Sequence, residues 1–118
     1  MYYNIHMIIF HRLKMCWQIL TTGWCDCELW NLDHTISKNL LPRLKKFRKT
    51  TNGIPGGVTE KQWFRTLDKI IFAMDHMAND EWEYELIKAK NTRRLIATHK
   101  KIQEGCDLFG KYFQALWD

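Results

Sequence analysis

The fold of this chain is decided by one segment, Thr51-Asn52-Gly53-Ile54-Pro55-Gly56-Gly57-Val58-Thr59-Glu60-Lys61-Gln62. It holds three of the six glycines and one of the two prolines. It ends in Thr59-x-x-Gln62, a capping box whose two side chains satisfy free backbone donors at the start of a helix. The stretches on both sides repeat apolar residues at helical spacing and contain almost no glycine or proline. The sequence therefore predicts helices that meet at a sharp corner.

Length and composition predict a single helical domain over residues 1–118. Apolar residues make up 46% of the chain and six tryptophans are present, which favours a packed core over disorder. Alternating β-branched runs are few, which disfavours an all-β fold. The net charge of +5, from 18 basic and 13 acidic residues, permits an acidic partner without requiring one.

The N-terminal segment has the pattern of neither a membrane span nor a secretory signal. Its apolar run at residues 7–10 is short and bounded by histidine and basic residues, whereas a span needs roughly 20 apolar residues. A small-residue cleavage site is also lacking. The cysteines Cys16, Cys25, Cys27 and Cys106 are therefore expected to be reduced thiols in an intracellular compartment, away from any membrane.

The apolar periodicity predicts four main helices. Pro42 in the second helix removes one ladder bond and clashes with the preceding turn, which predicts a kink or break near residues 38–41. The fourth helix is long, and either Asn91-Thr92 or Gly105 is a candidate interruption. The expected fold is all-α, a compact bundle of about four helices with a kinked second helix and a long C-terminal helix. The predicted helices cover residues 3–20, a stretch that begins after Asp26, residues 59–79 and residues 81–117. The first is predicted to end at Thr21-Thr22-Gly23, because glycine can take the left-handed conformation that closes a helix.

Each predicted helix carries an apolar stripe that is expected to face a common core. The C-terminal residues form the cleanest heptad pattern in the chain. The stripes are Tyr3, Met7, Phe10, Leu13, Trp17 and Leu20; Leu29, Leu32, Ile36, Leu40, Leu44 and Phe47; Trp63, Leu67, Ile70, Ile71, Met74 and Met77; and Ile102, Cys106, Phe109, Phe113 and Leu116.

Two basic groups are candidate contact surfaces, and Arg43, Lys46, Arg93 and Arg94 are the predicted charge contacts to a partner. Phosphate binding is one interpretation, because each neutralised phosphate releases counterions. Solvated helix surfaces are the other, since cations favour a helix C-terminus. The two groups are Arg43, Lys45, Lys46, Arg48 and Lys49, and Lys88, Lys90, Arg93, Arg94, His99, Lys100 and Lys101.

Three carboxylates, Asp33, Asp68 and Glu104, lie beside the apolar stripes of three different helices. Carboxylates from several helices of a bundle can converge on metal ions, but that pattern uses Glu-x-x-His, which this chain lacks. Pairing with lysine or arginine at the edge of the core is the alternative. Cys25-x-Cys27 is a poor zinc pattern, because structural sites use longer spacings and a second ligand pair. No metal or cofactor is therefore predicted.

Catalytic motifs are lacking in the sequence. The glycines Gly53-x-x-Gly56-Gly57 are not followed by the Lys-Ser/Thr of a P-loop, and the single serine, Ser37, lies in no nucleophile elbow. The chain is therefore predicted not to be an enzyme. The tryptophans near helix ends either seal a small bundle or contribute to an interface. Together with the C-terminal heptad, they make homo-oligomerisation a separate hypothesis.

Several short motifs along the chain carry a resemblance to a known group of proteins. They are Gly23-Trp24-Cys25-Asp26-Cys27-Glu28-Leu29-Trp30-Asn31-Leu32-Asp33-His34-Thr35-Ile36, Leu41-Pro42-Arg43-Leu44-Lys45-Lys46-Phe47, Asn52-Gly53-Ile54-Pro55-Gly56, Trp63, Leu67-Asp68-Lys69-Ile70-Ile71, Gln103-Glu104-Gly105-Cys106-Asp107-Leu108-Phe109 and Leu116-Trp117-Asp118.

Together these motifs resemble small uncharacterised proteins of tailed bacteriophages and their prophages, over about residues 23–118. The resemblance implies a viral accessory protein in the cytoplasm of an infected bacterium, and it implies no activity. Cys27 departs from the family pattern, which has an acidic or polar residue at that position. This departure weakens any metal or catalytic role for Cys25-Asp26-Cys27.

The sequence thus predicts a non-enzymatic phage accessory protein that binds a host protein, another phage protein or a small anionic ligand. The first alternative is a nucleic-acid-binding protein that uses the basic faces of the second and fourth helices. The second is a metal-dependent hydrolase with Asp33, Asp68 and Glu104 at its centre.

Overall fold

The computed structural model describes residues 4–117. These residues form five α-helices, two short 3₁₀ helices and no strand, so the predicted all-α class is confirmed. The α-helices are α1 (Ile5–Thr22), α2 (Leu32–Thr50), α3 (Glu60–Ala78), α4 (Glu81–Lys88) and α5 (Thr92–Tyr112), and the 3₁₀ helices are Asp26–Asn31 and Phe113–Ala115.

The chain divides into two compact units, an N-terminal unit (Met1–Leu32) and a C-terminal unit (Asp33–Asp118). The N-terminal unit holds α1 and the first 3₁₀ helix. The C-terminal unit holds α3, α4, α5 and all of α2 except its first residue.

Both ends of α1 are capped by the residues next to them. The Asn4 side chain accepts a hydrogen bond from the His6 backbone N–H at 3.3 Å. At the other end Gly23 takes a left-handed conformation with φ 83° and donates its N–H to the Ile19 carbonyl at 2.9 Å. This confirms the predicted glycine stop, because an L-side chain rarely adopts that backbone conformation. Tyr3, the predicted first residue of the helix, lies outside the described residues.

The second helix begins later than the sequence predicts. Residues Asp26–Asn31 form a 3₁₀ helix, and Cys25 is its N-terminal cap in place of Asp26. Helix α2 then continues through Pro42 to Thr50, so the structure shows no break at residues 38–41. Pro42 is exposed and has no N–H to donate, which is tolerated on the outer side of a helix whose inner side is packed. A kink there stays a prediction.

The corner between α2 and α3 is built as the sequence predicts. Thr59 Oγ1 accepts a hydrogen bond from the Gln62 N–H at 3.2 Å, and Gln62 Oε1 accepts one from the Thr59 N–H at 3.1 Å. This is the complete capping box. Within the corner Gly57 has φ 79°, a left-handed conformation that suits glycine in a tight reversal.

The core of the C-terminal unit lies on α3. Trp63, Leu67 and Ile70 are fully buried, and Leu44 of α2 packs against Ile70 and Met74. Further contacts come from partly buried side chains of α2, α3, α5 and the C-terminal turn: Leu40, Leu41, Ile71, Met77, Leu108, Phe109 and Leu116. The predicted stripe of α3 therefore enters the core, and from the predicted C-terminal heptad Phe109 and Leu116 pack against it, whereas Phe113 is exposed.

A glycine sets how closely α3 and α5 approach. Gly105 is buried, and a Cβ atom placed on it would overlap the Lys69 carbonyl oxygen and lie 2.5 Å from the Ala73 Cβ. About two turns further along α5, Trp63 and Tyr112 meet edge to face with ring centroids 5.5 Å apart. Gly105 therefore does not interrupt the last helix, as one sequence alternative proposed. It permits a close helix crossing instead.

The interruption falls at the other candidate position, Asn91-Thr92. Lys90 adopts φ 56° after the end of α4, and the Asn91 side chain accepts the Arg94 N–H at 3.2 Å to cap α5. The predicted long C-terminal helix is thus two helices, α4 and α5. Residues 4–117 therefore form five α-helices, where the sequence predicted about four.

The apolar stripe of the first helix does not form a buried core, contrary to the sequence prediction. Phe10, Leu13, Trp17 and Leu20 are all exposed. In the predicted second stripe, Leu29, Leu32 and Ile36 are exposed as well. Apolar periodicity identifies a face of a helix, but it does not identify what covers that face.

Candidate functional site

The four predicted basic contacts lie on two helices and are all exposed. Arg43 and Lys46 lie on α2, and Arg93 and Arg94 lie in the first turn of α5. Arg43 donates a hydrogen bond to the Asn39 carbonyl of its own helix at 2.5 Å. No hydrogen bond or ion pair in residues 4–117 joins the α2 pair to the α5 pair.

Two of the three candidate carboxylates are held in ion pairs. Asp68 accepts two hydrogen bonds from Arg48, at 2.5 and 3.2 Å, and Glu104 accepts one from Lys69 at 2.6 Å. Asp68 and Glu104 line the same depression of about 310 Å³, whereas Asp33 does not and is exposed in the first turn of α2. Within the described residues no group of three His, Cys, Asp or Glu side chains could hold a metal ion.

The cysteines differ in state from the expected four thiols. Cys25 and Cys27 are joined in a disulfide, with their Cα atoms 5.2 Å apart. Cys16 is free and exposed, and Cys106 is free and half-buried. Burial raises the pKa of the Cys106 thiol, and the neighbouring Asp107 carboxylate raises this pKa further. Cys106 is therefore held as the neutral thiol, the less nucleophilic form.

A cluster of aromatic and histidine rings joins α3, α4 and α5. Trp82 donates its indole N–H to the His76 carbonyl at 2.8 Å, and His76 stacks on Phe72 with ring centroids 3.9 Å apart. Trp82 also meets His99 edge to face, and His99 Nε2 lies 3.5 Å from a Glu83 carboxylate oxygen. These contacts hold the short α4 against its neighbours.

A basic groove of about 780 Å³ lies between the C-terminal end of α2 and the N-terminal end of α3. Arg48 lies across one wall of the groove. Its guanidinium is 5.1 Å from the centre of the Phe64 ring and donates hydrogen bonds to the Asp68 carboxylate. Four basic and two acidic side chains line the groove. The lining residues are Arg48, Lys49, Thr59, Glu60, Lys61, Phe64, Arg65 and Asp68.

Exposed apolar side chains are concentrated in the N-terminal unit. Thirteen of the twenty large apolar side chains that are exposed in residues 4–117 belong to it, although it is much the smaller unit. Six of them form one continuous face that covers about 140° of the α1 circumference, and we call this the outer face of α1. Its members, which are 50–83% exposed, are Ile5, Ile9, Phe10, Leu13, Trp17 and Leu20.

The charges of α1 are all basic. Arg12 and Lys14 lie at the two edges of the outer face, and the helix contains no aspartate or glutamate. Lys14 Nζ lies 3.9 Å from the Asp26 carboxylate, which also accepts a hydrogen bond from Gln18 at 2.7 Å. Arg12 has no ion pair within the described residues. Of the helices that residues 4–117 form, none combines the length and apolarity needed to cross a bilayer.

Sequence reasoning missed two features of these surfaces. It assigned the first stripe to the core, although a helix that is apolar on several sides and free of acidic residues is also typical of a docking element. It grouped Arg48 and Lys49 with their chain neighbours, whereas the fold places them beside Lys61 and Arg65 of α3. The capping box at Thr59 was the signal in the sequence for this placement. It marks where α3 begins, and α3 begins next to the end of α2.

Comparison of the chain with protein-family models, with curated proteins and with solved structures finds no match.

Proposed function

We propose that this protein is a non-enzymatic binding protein that inserts the outer face of α1 into an apolar groove on another protein. The observation that supports this most strongly is the exposure of Phe10, Leu13, Trp17 and Leu20, which recur at steps of three and four residues on one side of the helix. Such spacing is the anchor pattern of helices that bind in grooves. Tryptophan and phenylalanine are among the side chains that supply most binding energy at interfaces.

The outer face of α1 supplies part of the free energy that a stable complex needs, and further contacts must supply the rest. Fully burying an apolar side chain of this size contributes roughly 1.5–3 kcal/mol, so four anchors contribute about 6–12 kcal/mol before the costs of association. A micromolar complex needs about 8 kcal/mol net. The remaining exposed residues of the unit, above all Trp30, which is 94% exposed, extend the apolar area that a partner can cover.

The charges on α1 favour a partner with carboxylates around its groove. Arg12 and Lys14 flank the outer face; Lys14 lies beside the Asp26 carboxylate, whereas Arg12 has no ion pair within the described residues. Two copies of α1 packed face to face would bring these cations together, so self-association lacks complementary charge. A lipid surface suits a helix with one strongly polar side, whereas α1 also carries Ile8 and Ile19 outside its outer face. A groove that surrounds the helix suits that distribution better.

The resemblance to phage proteins supports a host protein or another phage protein as the partner. The predicted absence of enzymatic activity is part of the same proposal. What supports it is that burial and Asp107 raise the pKa of the Cys106 thiol and that Asp68 and Glu104 already form ion pairs within the chain.

The proposal is tested with a matched pair of variants of the full chain. Phe10→Ala/Trp17→Ala removes two anchors from the outer face, and Tyr84→Ala/Ile87→Ala removes two exposed apolar side chains from α4. A partner captured by the wild type from infected bacteria is purified, and its complex with the chain is reconstituted. We expect hydrogen-exchange protection on α1, a loss of affinity of about 100-fold or more for the first variant, and wild-type affinity for the second.

Three outcomes would overturn the proposal. The first is a reconstituted complex in which α1 gains no protection. The second is a purified protein that sediments as a dimer and becomes monomeric on Phe10→Ala/Trp17→Ala. The third is binding of the wild type to anionic vesicles that this double variant abolishes. Arg12→Glu adds a check on charge, because it is expected to weaken the partner complex and to reduce the salt dependence of its affinity.

A further inference from the structure

We infer that the basic groove between α2 and α3 binds the phosphodiester backbone of a nucleic acid without reading its sequence. This function is independent of the outer face of α1. It uses Lys49, Lys61 and Arg65, whereas the sequence alternative placed the nucleic-acid contacts on the basic faces of the second and fourth helices, with Arg43, Lys46, Arg93 and Arg94 as the contact residues.

The first argument is the charge that remains after internal pairing. Of the four basic side chains that line the groove, Arg48 is already neutralised by its two hydrogen bonds to Asp68. Lys49, Lys61 and Arg65 have no ion pair within the described residues, and they face one unpaired carboxylate, Glu60. The groove therefore carries an uncompensated positive charge that an anionic ligand can balance.

The second argument is how these cations are arranged. Lys61 and Arg65 are four residues apart on α3, so they project from the same side of that helix. Lys49 is four residues after the exposed Lys45 on α2, so this pair also shares one side of its helix. Both members of the α3 row line the groove, and Lys49, the last member of the α2 row, lines it from α2. Such rows suit a chain of evenly spaced phosphates better than a single anion.

The depression on the other side of Asp68 provides a contrast within the same unit. It is lined by Asp68, Lys69, Phe72, Lys101 and Glu104. Lys69 is paired with Glu104, and the Lys101 ammonium lies 5.8 Å from the centre of the Phe72 ring. Charge is thus balanced on that side and in excess in the groove.

The shape and chemistry of the groove further limit which class of ligand it can bind. The groove is wide and open, so it cannot enclose most of a small molecule, as ligand pockets do. Nucleic acid also releases condensed counterions when its phosphates are neutralised, a gain that an acidic peptide with scattered carboxylates lacks. The Arg48 guanidinium lies over one face of the Phe64 ring, so that face is not free for stacking on a base. Backbone contacts without sequence preference follow from this arrangement.

The inference is tested by binding of labelled DNA and RNA oligonucleotides of scrambled sequence to the full chain, followed by fluorescence anisotropy. The groove variant is Lys49→Ala/Lys61→Ala/Arg65→Ala. The matched control is Lys88→Ala/Arg93→Ala/Lys100→Ala, which removes two lysines and one arginine from α4 and α5. Both variants lower the net charge equally, and all six side chains are exposed.

We expect the groove variant to bind at least about tenfold more weakly at low salt, and its plot of log affinity against log salt to be shallower by about 2 to 3. The control variant should keep affinity within about twofold. The single pair Lys61→Glu and Lys88→Glu gives the same comparison with less change to the protein, should the groove variant fold poorly by circular dichroism.

The inference is wrong if the wild type binds no oligonucleotide at about 50 mM salt, or if groove and control variants lose affinity equally. It is also wrong if polyglutamate displaces the oligonucleotide at an equal concentration of charge, which would identify an acidic protein segment as the ligand. A strong preference for one oligonucleotide sequence would contradict the lack of base contacts.

Discussion

Similar apolar patterns are buried in the C-terminal unit of this protein and exposed in its N-terminal unit. In the C-terminal unit, Trp63 and Ile70 on α3 are fully buried, and Gly105 lets α5 approach closely. In the N-terminal unit, Trp17 and Leu13 on α1 recur at the same kind of spacing and are exposed. Among the described helices of its own unit, the neighbour of α1 is the short 3₁₀ helix Asp26–Asn31. An apolar stripe therefore becomes a core only when the chain supplies a neighbour shaped to cover it.

The largest difference between the units is expected from truncating one side chain in each. Ile70→Ala should lower the free energy of unfolding by about 2–5 kcal/mol, because it leaves a cavity in a packed core. Leu13→Ala should change it by no more than about 0.5 kcal/mol, because its side chain is exposed. Urea unfolding followed by circular dichroism measures both. Equal losses for the two variants would mean that α1 is part of the folding core.

The close crossing of α3 and α5 provides a second test of the packing in the C-terminal unit. Gly105→Ala should destabilise the C-terminal unit by about 1–3 kcal/mol, because its Cβ would overlap the Lys69 carbonyl and the Ala73 side chain. Gly110→Ala is the control on the same helix. It meets no neighbour within 4 Å and should stabilise the helix by about 0.5–1 kcal/mol. Thermal unfolding of both variants measures these changes in stability. An increase in stability for Gly105→Ala would contradict the close approach of α3 and α5.

The smallest expected effect concerns the two free cysteines, one in each unit. Iodoacetamide should alkylate the exposed Cys16 faster than the half-buried Cys106, whose pKa is raised by burial and then by Asp107. Because the folded state holds the Cys106 proton more tightly than the unfolded state, its stabilising contribution is present below the ordinary thiol pKa. It is lost as the pH rises through the raised value. Mass spectrometry of the alkylated peptides gives the order, and faster labelling of Cys106 would contradict it.

Local signals predicted a large part of the fold. Thr59 and Gln62 gave the start of α3, Gly23 gave the end of α1, and the alternation of apolar residues gave Leu67 and Ile70 as core. These features depend on neighbours within a few residues, so periodicity and capping chemistry are enough to find them. The choice between Asn91-Thr92 and Gly105 as the interruption was open, because glycine serves both as a helix breaker and as a close-packing residue.

The candidate surfaces could be predicted only in part. The basic residues of α2 were identified, but the groove needs Lys61 and Arg65, which are distant in sequence and enter only when α2 and α3 pack. The pairing of Asp68 with Arg48 likewise depends on that packing. The outer face of α1 was visible as a stripe, yet its exposure depends on which other elements reach it. Contacts between residues that are distant in the chain cannot be read from a single sequence.

The short length of α4 determines how this helix opens within the C-terminal unit. Its eight residues are too few to remain helical in water by themselves, so the helix persists through the contacts of Trp82 and His99 rather than through its own ladder. None of its residues is fully buried. Local opening of α4 therefore leaves the Trp63 and Ile70 packing untouched, and amide exchange in residues 81–88 reports that opening separately from global unfolding.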